Sequence, residues 1–295
     1  MSAPFPILPA VIALALLLIP LFAFGFAGDR CTRFAQSLPV LLRLAIPALL
    51  VIPYIIVAHG SDILTPRWFL LYLLVPVLLA SVEFLAAHLD PGQRGHLLDF
   101  LVLLPLGLAV DLRWLEPAWP PRLALLGKLT LLDAGLYAFL AVRCLTAVGY
   151  DLRFRGRDWT TGLREVLFYM PIAIPLGLAL GFLHLHHRVE HAWLAVPIWI
   201  GTFVSVALPE EIFFRGWIQN LLERRMGRTA ALLVTAILFG LSHFNKRTTF
   251  FNWRYVLLAA LAGIFYGRAW RRDHRIAASA ITHSTVDTLW AALLR

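Results

Sequence analysis

Long apolar runs separated by short polar connections make up almost the whole chain. The runs lie near residues 5–27, 39–59, 67–89, 96–111, 123–146, 166–185, 192–222, 229–244, 254–270 and 276–294. A helix needs about 20 mostly apolar residues to cross a bilayer. The pattern therefore predicts an all-α fold, a polytopic transmembrane bundle of about eight to ten spanning helices. The runs at 96–111 and 229–244 are short enough to be partial or re-entrant segments. Met1 to Gly28 lacks the basic n-region of a secretory leader, and its apolar run is longer than a typical leader core, so it reads as a first spanning helix.

Charge is confined mostly to the connections. Alternate ones carry Arg30 and Arg33, then Arg94, then Arg153, Arg155, Arg157 and Arg164, then Arg224, Arg225 and Arg228, then Arg268, Arg271, Arg272 and Arg275. The opposite set holds Arg67, Arg113, Arg122, Arg188, Lys246, Arg247 and Arg295. The positive-inside rule puts the first set in the cytoplasm and both termini on the other side. Composition agrees: of 295 residues 60% are hydrophobic and 15% charged, with a mean hydropathy of +0.77, which excludes a water-soluble fold. The formal charge of +9 belongs to these loops, and no nucleic-acid partner is expected. Membrane lipids are, and a multi-pass location in a bacterial cytoplasmic (inner) membrane. Cys31 and Cys144 are too few and too far apart for a disulfide framework or a cysteine metal site. The basic stretch from Tyr150 to Arg164 is the expected seam, between N-terminal helices of unassigned role (1–150) and a C-terminal unit dense in polar intramembrane residues (151–295).

An ionisable group costs at least about 2.5 to 3.5 kcal/mol at the centre of a membrane helix, so each one inside a span is a functional candidate. The C-terminal half has three such places. In Leu208-Pro209-Glu210-Glu211-Ile212-Phe213-Phe214-Arg215, residues four apart share a helix face while neighbours diverge by about 100°. Glu211 can pair with Arg215, which leaves Glu210 facing elsewhere in a partly dry setting suited to a general base. Phe239-Gly240-Leu241-Ser242-His243 ends the short eighth run. In His283-Ser284-Thr285-Val286-Asp287, the last helix sets an imidazole and a carboxylate on one face. The first motif could equally be a helix-stapling ion network, the second an interfacial histidine and the third a polar pair packing two helices. Together they supply a carboxylate, two imidazoles and an orienting acid, the means to activate water and stabilise an oxyanion.

This combination resembles the CAAX-protease and bacteriocin-processing family, also called the abortive-infection family, which includes the Ras-converting CAAX endopeptidase. Its motifs, Glu-Glu-x-x-x-Arg, Phe-x-x-x-His and His-x-x-x-Asn/Asp, stand here in that order as Glu210-Glu211 to Arg215, Phe239 to His243 and His283 to Asp287. The similarity covers roughly residues 160 to 295. It implies an intramembrane glutamate-dependent endopeptidase acting on a prenylated, leader-bearing or otherwise membrane-associated protein or peptide, with no cofactor. By the resemblance, Glu210 activates water with His243, His283 and residue 287 stabilise the tetrahedral intermediate, and Glu211 and Arg215 are structural support. Asn at 287 could donate to the oxyanion, whereas ionised Asp287 cannot. Asp287 then either holds His283 as a donating imidazolium or is itself protonated.

Three rival readings remain. His187, Glu190 and His191 fit the H-x-x-E-H pattern of one class of zinc protease, although the segment joins two spans and suits a solvated loop. Glu83, Asp99, Asp111 and Asp133 in or near apolar runs suit a transporter, but no inverted repeat accompanies them. A catalytically silent membrane scaffold or immunity protein would carry the same helices.

Overall fold

The structure, a computed structural model, describes residues 6–184, 192–246 and 251–293, and among these it is helical with no strand. The helices are α1 (Ile7–Ser37), α2 (Val40–Gly60), α3 (Pro66–Leu89), α4 (Leu97–Asp111), α5 (Ala124–Val142), α6 (Gly156–Ala179), α7 (Ala195–Met226), α8 (Arg228–Leu241), α9 (Trp253–Asp273) and α10 (Ile276–Leu293). Six of them, α1, α2, α3, α5, α6 and α7, are both long and apolar enough to cross a membrane. The protein is a polytopic, integral membrane helical bundle. The remaining four are polar or short for physical reasons visible in their sequences. Helix α8 is apolar but short, α9 ends in Arg268, Arg271, Arg272 and Asp273, and α10 is interrupted by Thr282, His283, Ser284, Thr285 and Asp287. Prolines inside α1, α3, α4 and α6 are tolerated because neighbouring groups in a bundle can satisfy the carbonyls they free.

The chain divides into two compact units, Met1–Thr146 and Ala147–Arg295. In the first, Tyr54 stacks on Tyr72 at 4.8 Å, and Trp119 Nε1 donates to Tyr72 Oη at 2.6 Å. Several of its intramembrane carboxylates gather on one arginine. Arg143, just beyond α5, lies 2.8 Å from Asp99, 2.8 Å from Asp90 and 3.8 Å from Glu83. Asp99 also accepts from the His96 backbone N–H as part of a capping box that starts α4. Asp111 ends α4 half-buried, and both oxygens of buried Asp133 lack a hydrogen-bond partner among the described residues.

In the second unit, two ion-pair clusters, one centred on Glu165 and one on Arg275, tie helices together. Buried Glu165 of α6 lies between Arg164 at 2.7 Å and Arg268 of α9 at 3.0 Å. Arg275, in the turn from α9 to α10, grips Asp158 at 2.6 and 2.9 Å and Asp151 at 3.1 Å. Burial alone would raise the Asp151 carboxyl, but hydrogen bonds from Arg153 and Arg275 outweigh it and hold it at about 2. The turn itself requires Gly149. With φ at +75°, a Cβ there would come within 1.8 Å of the His274 carbonyl oxygen, and the Gly149 carbonyl accepts from the Ile276 N–H at 2.9 Å to start α10. Lacking side chains, Gly240 of α8 and Gly263 of α9 let these helices meet backbone to backbone. Helices α7 to α10 and the cavity described next all belong to this unit.

Candidate active site

Helix α7 is not a uniform α-helix. It widens to π geometry at Phe203–Ala207 and again at Ile212–Gln219, with one α-helical turn, Leu208–Glu211, between them. Pro209 has no N–H and its ring crowds the carbonyl four residues earlier, which breaks the regular ladder upstream. Such widened turns accompany functional sites. Both glutamates sit on the intervening turn.

The pairing expected of Glu211 and Arg215 is present and wholly buried. Arg215 Nε lies 3.1 Å from Glu211 Oε2, Nη1 donates to Oε1 at 3.2 Å, and Nη2 donates to the Gly263 carbonyl at 3.0 Å. The guanidinium also lies over the rings of Phe239 at 4.7 Å and Tyr266 at 5.5 Å. Glu211 has further partners that spacing did not reveal. His283 Nδ1 is 2.8 Å from its Oε1, and the Ser279 hydroxyl donates to its Oε2 while lying 2.8 Å from the Tyr266 carbonyl. A buried carboxylate satisfied from α7 and α10 is thus the junction of the two helices.

Glu210, the neighbouring residue, faces a cavity of about 120 Å³. Its Oε1 lies 3.8 Å from Lys246 Nζ and its Oε2 3.9 Å from His283 Nε2. Oε2 has no hydrogen-bond partner among the described residues. His243, His283, Asp287 and Lys246 line the same cavity, whose other walls are aromatic and aliphatic, among them Tyr169, Phe239, Tyr255 and Trp290. Its volume is enough for several waters or part of a small side chain.

The two imidazoles are held differently. His243 Nδ1 faces the Phe239 carbonyl at 2.8 Å, so Nδ1 carries a proton and Nε2 of the neutral ring is an acceptor. His283 stacks on Tyr266 with ring centres 4.6 Å apart and meets the edge of Phe239 at 5.6 Å. Acceptors flank both of its nitrogens, with Glu211 at Nδ1 and Asp287 3.5 Å from Nε2. A doubly protonated ring can donate to both sides. The nearer orienting partner of His283 is therefore Glu211 rather than Asp287.

The structure thus brings Glu210, His243, His283 and Asp287 to one cavity and sets Glu211 and Arg215 behind it. Lys246, read from sequence as a loop charge, instead faces Glu210. It lies three residues beyond His243, and Ser279 lies four before His283, on the same helix face. Both spacings were available as signals. His187, Glu190 and His191 lie outside the described residues. Among those described, no group of three His, Cys, Asp or Glu side chains is placed to hold a metal.

Residues 191–289 match the model of the family described as Type II CAAX prenyl endopeptidase Rce1-like. No curated protein and no solved structure matches the chain. The match spans all three motifs, from the start of α7 into α10. Through that segment the chain is similar to the CAAX endopeptidase family that its motifs resemble.

Proposed function

We propose that the C-terminal unit is an intramembrane endopeptidase that hydrolyses a peptide bond of a membrane-associated protein with a water activated by Glu210. The observation that carries this reading is the unpartnered Glu210 Oε2 in a cavity shared with both imidazoles. A partly exposed carboxylate on the wall of a cavity with room for water suits a general base. His243, with Nδ1–H bonded to Phe239, presents Nε2 as a second acceptor for the same water.

In this mechanism the water oxygen attacks the scissile carbonyl carbon as one water proton passes to Glu210. The developing oxyanion is stabilised by an N–H of His283, which Glu211 holds at the other nitrogen. The C–N bond then breaks, and the proton held by Glu210 goes to the leaving amine. Arg215 takes no part in the proton transfers. It holds Glu211 in place, and so keeps His283 fixed. The apolar cavity walls suit an aliphatic or lipid-modified substrate segment, which fits a prenylated CAAX protein, and the cytoplasmic membrane is the proposed location. The test is a comparison of new protein termini in membranes carrying wild-type or Glu210→Gln protein. Termini dependent on Glu210 are expected, and identical sets would overturn the reading.

A further inference from the structure

Lys246 lies outside all three motifs, yet its ammonium is 3.8 Å from Glu210 Oε1 and lines the cavity. That distance is an ion pair and not a hydrogen bond. The side chain is about one-third exposed, less than expected of a lysine on a solvated loop.

Its backbone is anchored on both sides. The Lys246 N–H donates to the His243 carbonyl at 3.3 Å, so both residues belong to one turn after α8. Asn252 then ties that turn to α9. Its Nδ2 donates to the Lys246 carbonyl at 3.1 Å, its N–H donates to the Phe244 carbonyl at 2.8 Å, and its Oδ1 caps α9 by accepting from the Tyr255 N–H at 3.2 Å. The turn delivers His243 and Lys246 to Glu210 together.

The two oxygens of Glu210 are therefore not equivalent. Oε1 faces a cation, while Oε2 faces His283 without a hydrogen bond. A lone glutamate rotates readily about its terminal torsion, and a cation at one oxygen fixes the plane of the carboxylate. We propose that Lys246 is a positioning residue for Glu210, its ammonium at Oε1 fixing the plane of the carboxylate at the cavity wall. The role rests on the endopeptidase reading of Glu210. It makes the turn after α8 a carrier of two functional side chains rather than one.

The test uses the purified full-length chain with a farnesylated fluorogenic peptide ending in a CAAX sequence. Lys246→Met is expected to lower kcat about 10-fold to 100-fold with KM changed by less than about threefold, and Lys246→Arg to retain kcat within about threefold. A thermal-melt cycle of Lys246→Met, Glu210→Gln and the double variant reads the pair without any substrate, and non-additive shifts are expected. Full turnover by Lys246→Met, an equal loss in Lys246→Arg, or additive melting shifts would overturn the assignment. A wild-type chain that does not cleave the peptide would instead remove the endopeptidase reading, and the role with it, while the melting cycle still reports the ion pair.

Discussion

Glu211→Gln separates the two adjacent glutamates by their energetics. Glu211 and Arg215 are both fully buried, with ion-pair contacts at 3.1 and 3.2 Å. Removing one partner of such a pair leaves a charge uncompensated in a dry site, at a cost of about 3 to 5 kcal/mol. Arg215 keeps the Gly263 carbonyl and the faces of Phe239 and Tyr266, so the lower end, about 3 kcal/mol, is expected. At roughly 2 to 4 °C per kcal/mol for a domain of this size, the melting temperature should fall by about 6 to 12 °C. Glu210 has a partly exposed side chain and no hydrogen bond to Oε2, so Glu210→Gln should shift melting far less. The assay is thermal unfolding of each purified variant in one detergent. Equal melting shifts for the two glutamine variants would refute this division between them.

Asp287→Asn keeps a polar group beside His283 Nε2 and should retain turnover within about tenfold, whereas Asp287→Ala, which removes that group, should lose more than about tenfold; equal losses would contradict a polar role for Asp287 beside His283. Because the folded Asp151 carboxyl is held at about 2, the unfolded chain binds the proton more readily and stability rises with pH. Asp151 contributes roughly 2 kcal/mol above about pH 4, a contribution lost as pH falls through about 4 to 2. Asp151→Asn should remove it, which acid titration of the melting temperature would show as a flatter profile for the variant. His187→Ala and His191→Ala should leave peptide cleavage within a few fold of wild type; loss on chelation restored by zinc would move the chemistry to that segment.

The helices were legible because bilayer thickness converts directly into run length, and the apolar runs correspond to α1 to α10. Spacing within one helix was legible too, since i to i+4 geometry places Glu211 against Arg215 and His283 near Asp287. Through-space convergence was not. The bond from His283 to Glu211 joins residues 72 apart in sequence, and that from Arg143 to Asp99 joins residues 44 apart. No periodicity carries such information. For the same reason Glu83 and Asp99 read as isolated intramembrane acids suited to transport, whereas the fold gathers them on Arg143 with Asp90. Lys246 was misread because a lysine beyond an apolar run normally marks a loop facing water; the short turn fixed by Asn252 directs it back into the cavity.

The most direct measurement is single-turnover hydrolysis of a farnesylated CAAX peptide by purified wild-type and Glu210→Gln protein, with the products identified by mass. Cleavage by the wild type and a loss of at least about 1000-fold in the variant, with melting close to wild type, is the predicted result. Hydrolysis by Glu210→Gln at a rate near that of the wild type would contradict the assignment of Glu210 as the base.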